Sequence, residues 1–256
     1  MSAAEKIDLP NGVKQEIYRA GKGKPVVFLH GVECRRDDDA VVAALAEKYA
    51  VVAPVTPGYA DIADARELRD VRDLALHYDT LLETLGIDDA VLVGHSFGGM
   101  IAAEIAAHVP KRVARLVLIA PLGLWQDDDP VADLPARLPH EVPELLWRGA
   151  VAKPAADAAP ANGAEGLERM IAAMQGLATV AKFTWPIPDK GLRRRLHRVT
   201  ADTLLVWGGQ DAYVPAHYAD DFIAAMPRAR KLLWPGSHMV PYERPQDVAK
   251  AVGEMA

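Results

Sequence analysis

The sequence predicts an α/β fold in which a mostly parallel sheet carries helices on both faces. Three observations predict it. Short runs rich in β-branched residues alternate with longer stretches of helical periodicity along most of the chain. The short runs are almost continuously apolar, as strands covered on both faces must be. One of them, within "VLVGHSFGGM" at residues 91–100, ends on a serine set between glycines, just where a helical pattern takes over. Such alternation implies parallel strands joined by crossover helices.

The elements follow in order. Residues 14–21, KQEIYRAG, mix polar and apolar positions and read as an antiparallel edge strand. Core strands are expected at 24–31 (KPVVFLHG), 49–55 (YAVVAPV), 90–96 (AVLVGHS), 115–121 (RLVLIAP), 202–209 (DTLLVWGG) and 230–236 (RKLLWPG). Helical patterns occupy 37–48, 65–85, 97–108, 217–226 and 245–255. The rhythm breaks once. Residues 124–195 hold no strand pattern, only helical stretches such as PELLWRGAV and GLERMIAAMQGLATVAKF joined by the Ala/Pro-rich AKPAADAAPANGAEG. That is too long for a simple connection. It reads as a helical cap, residues 124–195, inserted into a core domain made of residues 1–123 and 196–256. No internal repeat is found.

Half of the 256 residues are apolar and 25% are charged, the composition of a soluble globular protein able to bury a sizeable core. A net charge of −6 gives no electrostatic reason to expect nucleic acid or an anionic membrane as partner. The one basic cluster, KGLRRRLHRV at residues 190–199, places Leu192, Leu196 and Val199 at helical spacing, so its arginines read as a solvated face. Cys34 is the only cysteine, which excludes an intrachain disulfide and a cysteine-rich zinc site. The opening MSAAEKIDLPNG lacks the apolar centre of a signal peptide. The most apolar long stretch, residues 90–109, carries His95, Glu104 and His108 and does not read as a membrane span. The expected location is the cytoplasm, and the expected state a monomer or homodimer.

The serine between glycines is Ser96. A turn explains glycines, but not the strand before them and the helix FGGMIAAEIAAHV after them; a nucleophile elbow explains all three. A serine hydroxyl needs a base to take its proton, and the base needs an orienting acid. His238, in GSHMVPYERP after the last strand, returns to the carboxyl edge of the sheet, where chemistry gathers in such folds. His95 is locked inside the elbow, His30 ends the first long core strand, and His140 lies in the cap. His77, His108, His197 and His217 lie in helical patterns, where a solvated or packed imidazole is the ordinary fate. For the acid, Asp211 directly follows LLVWGGQ at a strand end; a turn aspartate is its plainer reading. The alternatives are Asp127, Asp128 and Asp129 after the preceding core strand. Oxyanion donors are expected from the backbone N–H groups of Phe97, which follows the nucleophile, and Val32, which follows His30–Gly31.

With FLHGV, GHSFGG, VWGGQDAYVP and GSHMVPYERP in this order and spacing, the sequence resembles the α/β-hydrolase superfamily over nearly its whole length, the cap being the least matched part. The resemblance implies an eight-stranded, mostly parallel sheet with Ser96, Asp211 and His238 as a triad. It also implies hydrolysis of a carbon–heteroatom or activated carbon–carbon bond through an acyl-enzyme, with no cofactor and no metal. Serine at position 96 sets aside relatives with an aspartate nucleophile, the haloalkane dehalogenases and epoxide hydrolases. Hydrolases of ring-cleavage dienoates usually carry asparagine before the serine and a glycine-rich loop after the first HG, whereas this chain has His95 and VECRRDDD. The short HGV loop also differs from the GGGX-type loop associated with esters of tertiary alcohols. The pattern is most similar to a small capped carboxylesterase acting on esters of small to medium apolar acyl groups. Dienoate carbon–carbon hydrolysis and lactone hydrolysis are the enzymatic alternatives. A hydrophobic-ligand receptor is the non-enzymatic one, against which a complete triad argues.

His30, Met100, Trp125, Trp147, Trp185, Tyr213 and Met239 are candidates to line the substrate pocket, joined by Met170, Met174 and Phe183 of the cap. The cap residues read equally well as helix faces packing on one another. Arg35 and Arg36 are the only cations close in sequence to a catalytic motif that a carboxylated substrate would meet, and Asp37 to Asp39 beside them offer neutralisation instead.

Overall fold

The computed structural model describes residues 4–34, 39–138, 140–152 and 163–255. Its centre is a single sheet of eight strands: β1 (Glu5–Asp8), β2 (Lys14–Ala20), β3 (Pro25–Leu29), β4 (Ala50–Pro54), β5 (Ala90–His95), β6 (Val113–Ile119), β7 (Asp202–Gly208) and β8 (Ala229–Trp234). The order across the sheet is β1-β2-β4-β3-β5-β6-β7-β8. β2 runs antiparallel to both its neighbours, β1 and β4, near one edge, and all other pairings are parallel. From β3 the chain steps outward to β4, then crosses back to β5 on the other side of β3. The direction of winding reverses between β3 and β5, so the loops leaving their carboxyl ends diverge and open a crevice.

Around the sheet lie α1 (Ala40–Ala46), α2 (Val71–Thr84), α3 (Ser96–His108), α4 (Glu141–Leu146), α5 (Gly163–Thr184), α6 (Tyr218–Ala225), α7 (Val240–Glu243) and α8 (Pro245–Met255). Every residue of β5 is buried, and Val26 to Leu29 of β3 are too, in keeping with their unbroken apolar runs. Caps decide where helices begin. Asp39 Oδ1 accepts from the N–H groups of Val41 and Val42 and starts α1. Asp70 does the same for α2 through Arg72 and Asp73, so the helix expected from residue 65 begins only at Val71; a short 3₁₀ turn, Ile62–Ala65, precedes it. β1 is the strand that periodicity did not reveal. Its four residues, EKID, are mostly exposed and carry no apolar alternation; pairing with β2 holds them.

Between β6 and β7 the described residues form α4 and α5. The first half of α5 is exposed and the second half, from Gly176, is packed down. Met170 and Met174 are 45% and 54% exposed, so neither reading offered for them, pocket wall or packed helix face, holds. No helix among the described residues is long and apolar enough to cross a membrane.

The basic cluster departs from a solvated face. Leu192, Leu196 and Val199 are buried as expected, but Arg195 reaches inward to grip both oxygens of Glu104, at 2.9 and 2.5 Å, and Glu104 is 1% exposed. A carboxylate buried on α3 requires a paired cation, and the arginine fork supplies one in bidentate geometry. Arg193 pairs with Asp221 on α6. The pairs fasten the segment leading into β7 onto two core helices.

His77 of α2 is also buried, with Nε2 2.7 Å from Gln15 Oε1, while Gln15 donates to the Val55 carbonyl. Burial pushes the His77 imidazole down from its ordinary 6.5 to about 4. The unfolded chain therefore binds a proton as pH falls through 6.5 and the folded chain only near 4, so stability is full above 6.5 and is lost across that window. Denaturant unfolding at pH 7.5 and pH 5 should show an acid loss smaller by about 2 kcal/mol in His77→Gln than in the wild type. Equal losses would mean that this imidazole does not set the acid sensitivity.

Candidate active site

The site starts at the end of β5. The strand stops at His95 and Ser96 is the first residue of α3, with φ at 54°, a left-handed conformation rarely adopted outside glycine. The backbone packing around it explains the flanking glycines. A Cβ on Gly98 would strike the Leu29 and His30 carbonyls of the β3 end, and one on Gly94 would strike Gly98. Helix and strands thus close up at a distance only glycine permits, and Ser96 is held in its strained turn. Its side chain is fully buried, and Oγ has no hydrogen-bond partner.

Asp211 and His238 meet. His238 Nδ1 lies 2.7 Å from Asp211 Oδ2, with both side chains essentially inaccessible. The other carboxylate oxygen accepts from the N–H groups of Tyr213 and Val214 at 2.8 and 2.9 Å. Asp211 thus caps a turn with one oxygen and holds the imidazole with the other. With Nδ1–H donated to a carboxylate, Nε2 carries the lone pair of a proton acceptor. That Nε2 is buried and, like Ser96 Oγ, unpartnered. The alternative acids lie elsewhere. Asp127, Asp128 and Asp129 are exposed; Asp127 accepts from Trp125 Nε1 and Asp129 lies 3.6 Å from His217.

The loop after β3 abuts the elbow. A Cβ placed on Gly31 would be 3.1 Å from the Ser96 Cβ. Val32 is buried there, and Phe97, second residue of α3, has one of the N–H groups that helix geometry leaves without an intrahelical acceptor. A strained serine at a helix N-terminus, beside an imidazole held by a carboxylate, is an arrangement suited to acyl transfer.

A sequence model of the alpha/beta hydrolase family matches residues 26–251. The chain belongs to this family. It is 29% identical over 250 residues to the dihydrolipoyllysine-residue acetyltransferase component of the acetoin cleaving system of Cupriavidus necator, covering 93% of this chain and 65% of that one. It is 28% identical over 251 residues to the 2-hydroxy-6-oxo-6-phenylhexa-2,4-dienoate hydrolase of Burkholderia cepacia, covering 84% of this chain and 81% of the relative. Among solved structures, a bacterial membrane phospholipase A superposes with a TM-score of 0.80 at 22% identity, over 99% of this chain and 85% of that one.

In this member of the alpha/beta hydrolase family the imidazole loop is braced from several sides, by groups the sequence did not announce. Glu243 Oε1 accepts from Ser237 N and Oγ, both at 2.7 Å, and its Oε2 accepts from Val151 N at 2.7 Å and Ala152 N at 3.3 Å. Gln210 Oε1 accepts from Gly236 N at 2.7 Å. His95 Nε2 donates to the His238 carbonyl at 3.0 Å, so this histidine serves the base rather than the serine. Glu243 and Gln210 stand in the quoted motifs, but nothing in a linear pattern says whose N–H a side chain will meet. Tyr59 was missed as well: its hydroxyl donates to the Val32 carbonyl at 3.0 Å. A buried tyrosine after a Pro-Gly turn is the only signal it leaves.

The expected pocket residues separate. Met100, Trp147, Tyr213 and Met239 are buried, and the Tyr213 ring stands edge-on to His238 at 4.8 Å; burial and the neighbouring Asp211 charge push its phenol up. Phe183 stacks on Phe97 with ring centroids 6.1 Å apart. Trp125 is half-buried and donates to Asp127. Trp185 is 65% exposed and faces solvent, which removes it from the pocket: α5 ends at Thr184, before the chain turns inward again. His30 is also turned away from a substrate role. Its Nε2 accepts from Thr56 N at 3.0 Å and its Nδ1 meets the Gly31 carbonyl at 2.7 Å, so it braces the loop after β3. Arg35 and Arg36 lie outside the described residues.

Glu243→Gln keeps one acceptor oxygen and replaces the other with a donor, so part of this bracing goes. The expected outcome is a kcat reduced by about tenfold, the equivalent of roughly 1.4 kcal/mol of lost positioning, with a smaller change in KM. Unchanged steady-state kinetics in a folded variant would show that the loop holds without it.

Proposed function

We propose that the protein is a serine hydrolase cleaving carboxylic esters of small to medium apolar acyl groups, through an acyl-enzyme on Ser96. The observation that carries the reading is the pair of buried, unpartnered atoms, Ser96 Oγ and His238 Nε2, with Asp211 holding the imidazole in the tautomer that can accept a proton. Buried polar atoms are rarely left unsatisfied, and here both belong to groups whose partner is a reacting molecule. Substrate entry brings the carbonyl carbon against Oγ. His238 takes the serine proton as the carbon–oxygen bond forms, and Asp211 stabilises the imidazolium. The N–H groups of Phe97 and Val32 receive the oxyanion. His238 then protonates the leaving alcohol, and water repeats the sequence to release the acid.

The apolar acyl preference follows from Phe97, Met100, Phe183 and Met239, among which each buried CH₂ contributes about 0.8 kcal/mol while a carboxylate would lose its hydration. The division into a core of residues 1–123 and 196–256 and a helical cap of residues 124–195 belongs to the same proposal, supported by the Phe183–Phe97 contact of α5 with the elbow. The partner is a small-molecule ester; no nucleic acid, membrane or cofactor enters the reaction.

A second reading, hydrolysis of a carbon–carbon bond in a ring-cleavage dienoate, is favoured by the relative from Burkholderia cepacia. The test is kcat/KM for p-nitrophenyl esters of increasing chain length against such a dienoate. The ester reading expects the esters to win; a dienoate preference that disappears in Arg35→Ala or Arg36→Ala replaces it with the carbon–carbon reading. Ser96→Ala should abolish turnover in either case, and Asp211→Asn should lower kcat by about 10⁴-fold through the wrong imidazole tautomer. Substantial turnover by Ser96→Ala would remove the serine from the chemistry.

A further inference from the structure

Helix α5 lies over the crevice with one face, and that face carries a polar group no neighbour explains. Gly176 sits against the Tyr59 ring and the Val32 carbonyl: a Cβ there would be 2.8 Å from Tyr59 Cε1 and 3.2 Å from Val32 O. Phe183, seven residues on, stacks on Phe97. The two ends of this face therefore rest on the two residues expected to bind the oxyanion. Between them, at helical spacing, is Thr179.

Thr179 is fully buried, and its Oγ1 has no hydrogen-bond partner. Threonines in helices usually satisfy their hydroxyl on the carbonyl four residues back. Three in this protein do so: Thr80 to Leu76, Thr84 to Thr80, and Thr184 to Val180 on α5 itself, at 3.0, 2.7 and 2.7 Å. Thr179 does not. Its hydroxyl is turned off its own helix toward Gly58, where a side chain could not fit: a Cβ on Gly58 would be 2.6 Å from Thr179 Oγ1. Gly58 has φ at 101°, which also calls for glycine, so the turn after β4 presents bare backbone to the hydroxyl. A buried hydroxyl left unpaired is costly, and among the described residues this one shares its condition with Ser96 Oγ and His238 Nε2, and with one ring nitrogen each of His77 and His95.

We propose that Thr179 determines specificity by hydrogen-bonding an oxygen carried on the acyl chain of the substrate, so that oxygen-bearing acyl groups are turned over in preference to plain alkyl ones. The inference rests on the ester-hydrolase reading and narrows its substrate class. Thr179 stands about one helical turn, or roughly 5.4 Å, from each of the residues flanking it on this face. The contact falls on a neutral ether, hydroxyl or keto oxygen two or three bonds out from the scissile carbonyl carbon, since the neighbours of Thr179 on this face touch the loop after β3 and the elbow.

The experiment compares p-nitrophenyl pentanoate with its two oxygen isosteres, p-nitrophenyl ethoxyacetate and 3-methoxypropanoate, in wild type, Thr179→Val and Thr179→Ser. Intrinsic reactivity cancels in the ratio of ether to alkyl kcat/KM taken between proteins. For at least one ether, that ratio should fall about fivefold to tenfold in Thr179→Val, the size of one hydrogen bond, and be retained in Thr179→Ser. Ratios within twofold of wild type for both ethers in Thr179→Val would overturn the proposal while leaving the ester reading intact. If no ester is turned over, the ester reading fails, and the same chains are presented as p-nitrophenyl alkylphosphonates, with trapping of Ser96 counted by mass. The same fall in the ratio of trapping rates supports the contact with Thr179; an unchanged ratio, or no trapping at all, overturns it.

Discussion

The turn from β5 into α3 is the constraint on which the rest of the site depends. A serine at positive φ costs on the order of 1–3 kcal/mol, and such a conformation persists only where its surroundings over-determine it. Here they do. β5 is buried along its whole length between β3 and β6, and α3 is buried on nearly every side, so neither can shift to relax the joint. Gly94 and Gly98 let the helix start close against the ends of β3 and β5, and that closeness brings the loop after β3 up to the serine. Ser96 and the loop after β3 are thus set by one packing event. Their relative position is a property of the sheet's winding rather than of any flexible contact.

The base is placed by different means. His238 follows β8, a half-exposed edge strand, and has no packed helix beneath it comparable to α3. Hydrogen bonds supply the rigidity: Asp211 on the ring, the His95 side chain on its carbonyl, and Gln210 and Glu243 on the two residues before it. Carboxylates do most of this because an ionised oxygen accepts several N–H groups strongly in a dry environment. Glu243 also accepts from Val151 and Ala152, so the chain between β6 and β7 is tied to the loop of the base. A movement of that segment reaches His238 through a single carboxylate.

The parts of this design differ in how well a linear sequence records them. β3, β5, β6 and β7 were legible because burial on both faces demands unbroken apolar runs, and Ser96 because a strand, two glycines and a helix coincide there. Asp211 and His238 followed from their places at the carboxyl ends of strands. β1 was not legible, since EKID is held by backbone pairing that any sequence can make. Arg195 looked like surface because its partner, Glu104, lies ninety-one residues away on α3. His30 looked like a pocket residue because position brings it near the serine, while the direction of its ring is decided by Thr56 and Gly31. Trp185 failed for the converse reason: aromatic character suggests burial, but the end of α5 left it outside. Composition and spacing report which backbone is buried; they do not report which way a polar side chain turns.

That distinction bears most on α5. Its exposed half carries Leu167, Met170, Ile171 and Met174 at helical spacing, a pattern that by composition alone would be assigned to the core. Its buried half carries a glycine, a threonine and a phenylalanine, of which only the last looks like a core residue. Yet the second set meets the loops of the candidate site: Gly176 permits close approach to Tyr59, Thr179 packs beside Gly58, and Phe183 stacks on Phe97. The elbow fixes the position of Ser96, while α5 covers the loops on either side of it. The two are joined through Phe97, which offers its backbone N–H to the expected oxyanion and its ring to α5. A change on that face of α5 therefore reaches the elbow through Phe97 and the loop after β3 through Tyr59 and Val32, whereas a change on the exposed half of the helix touches neither.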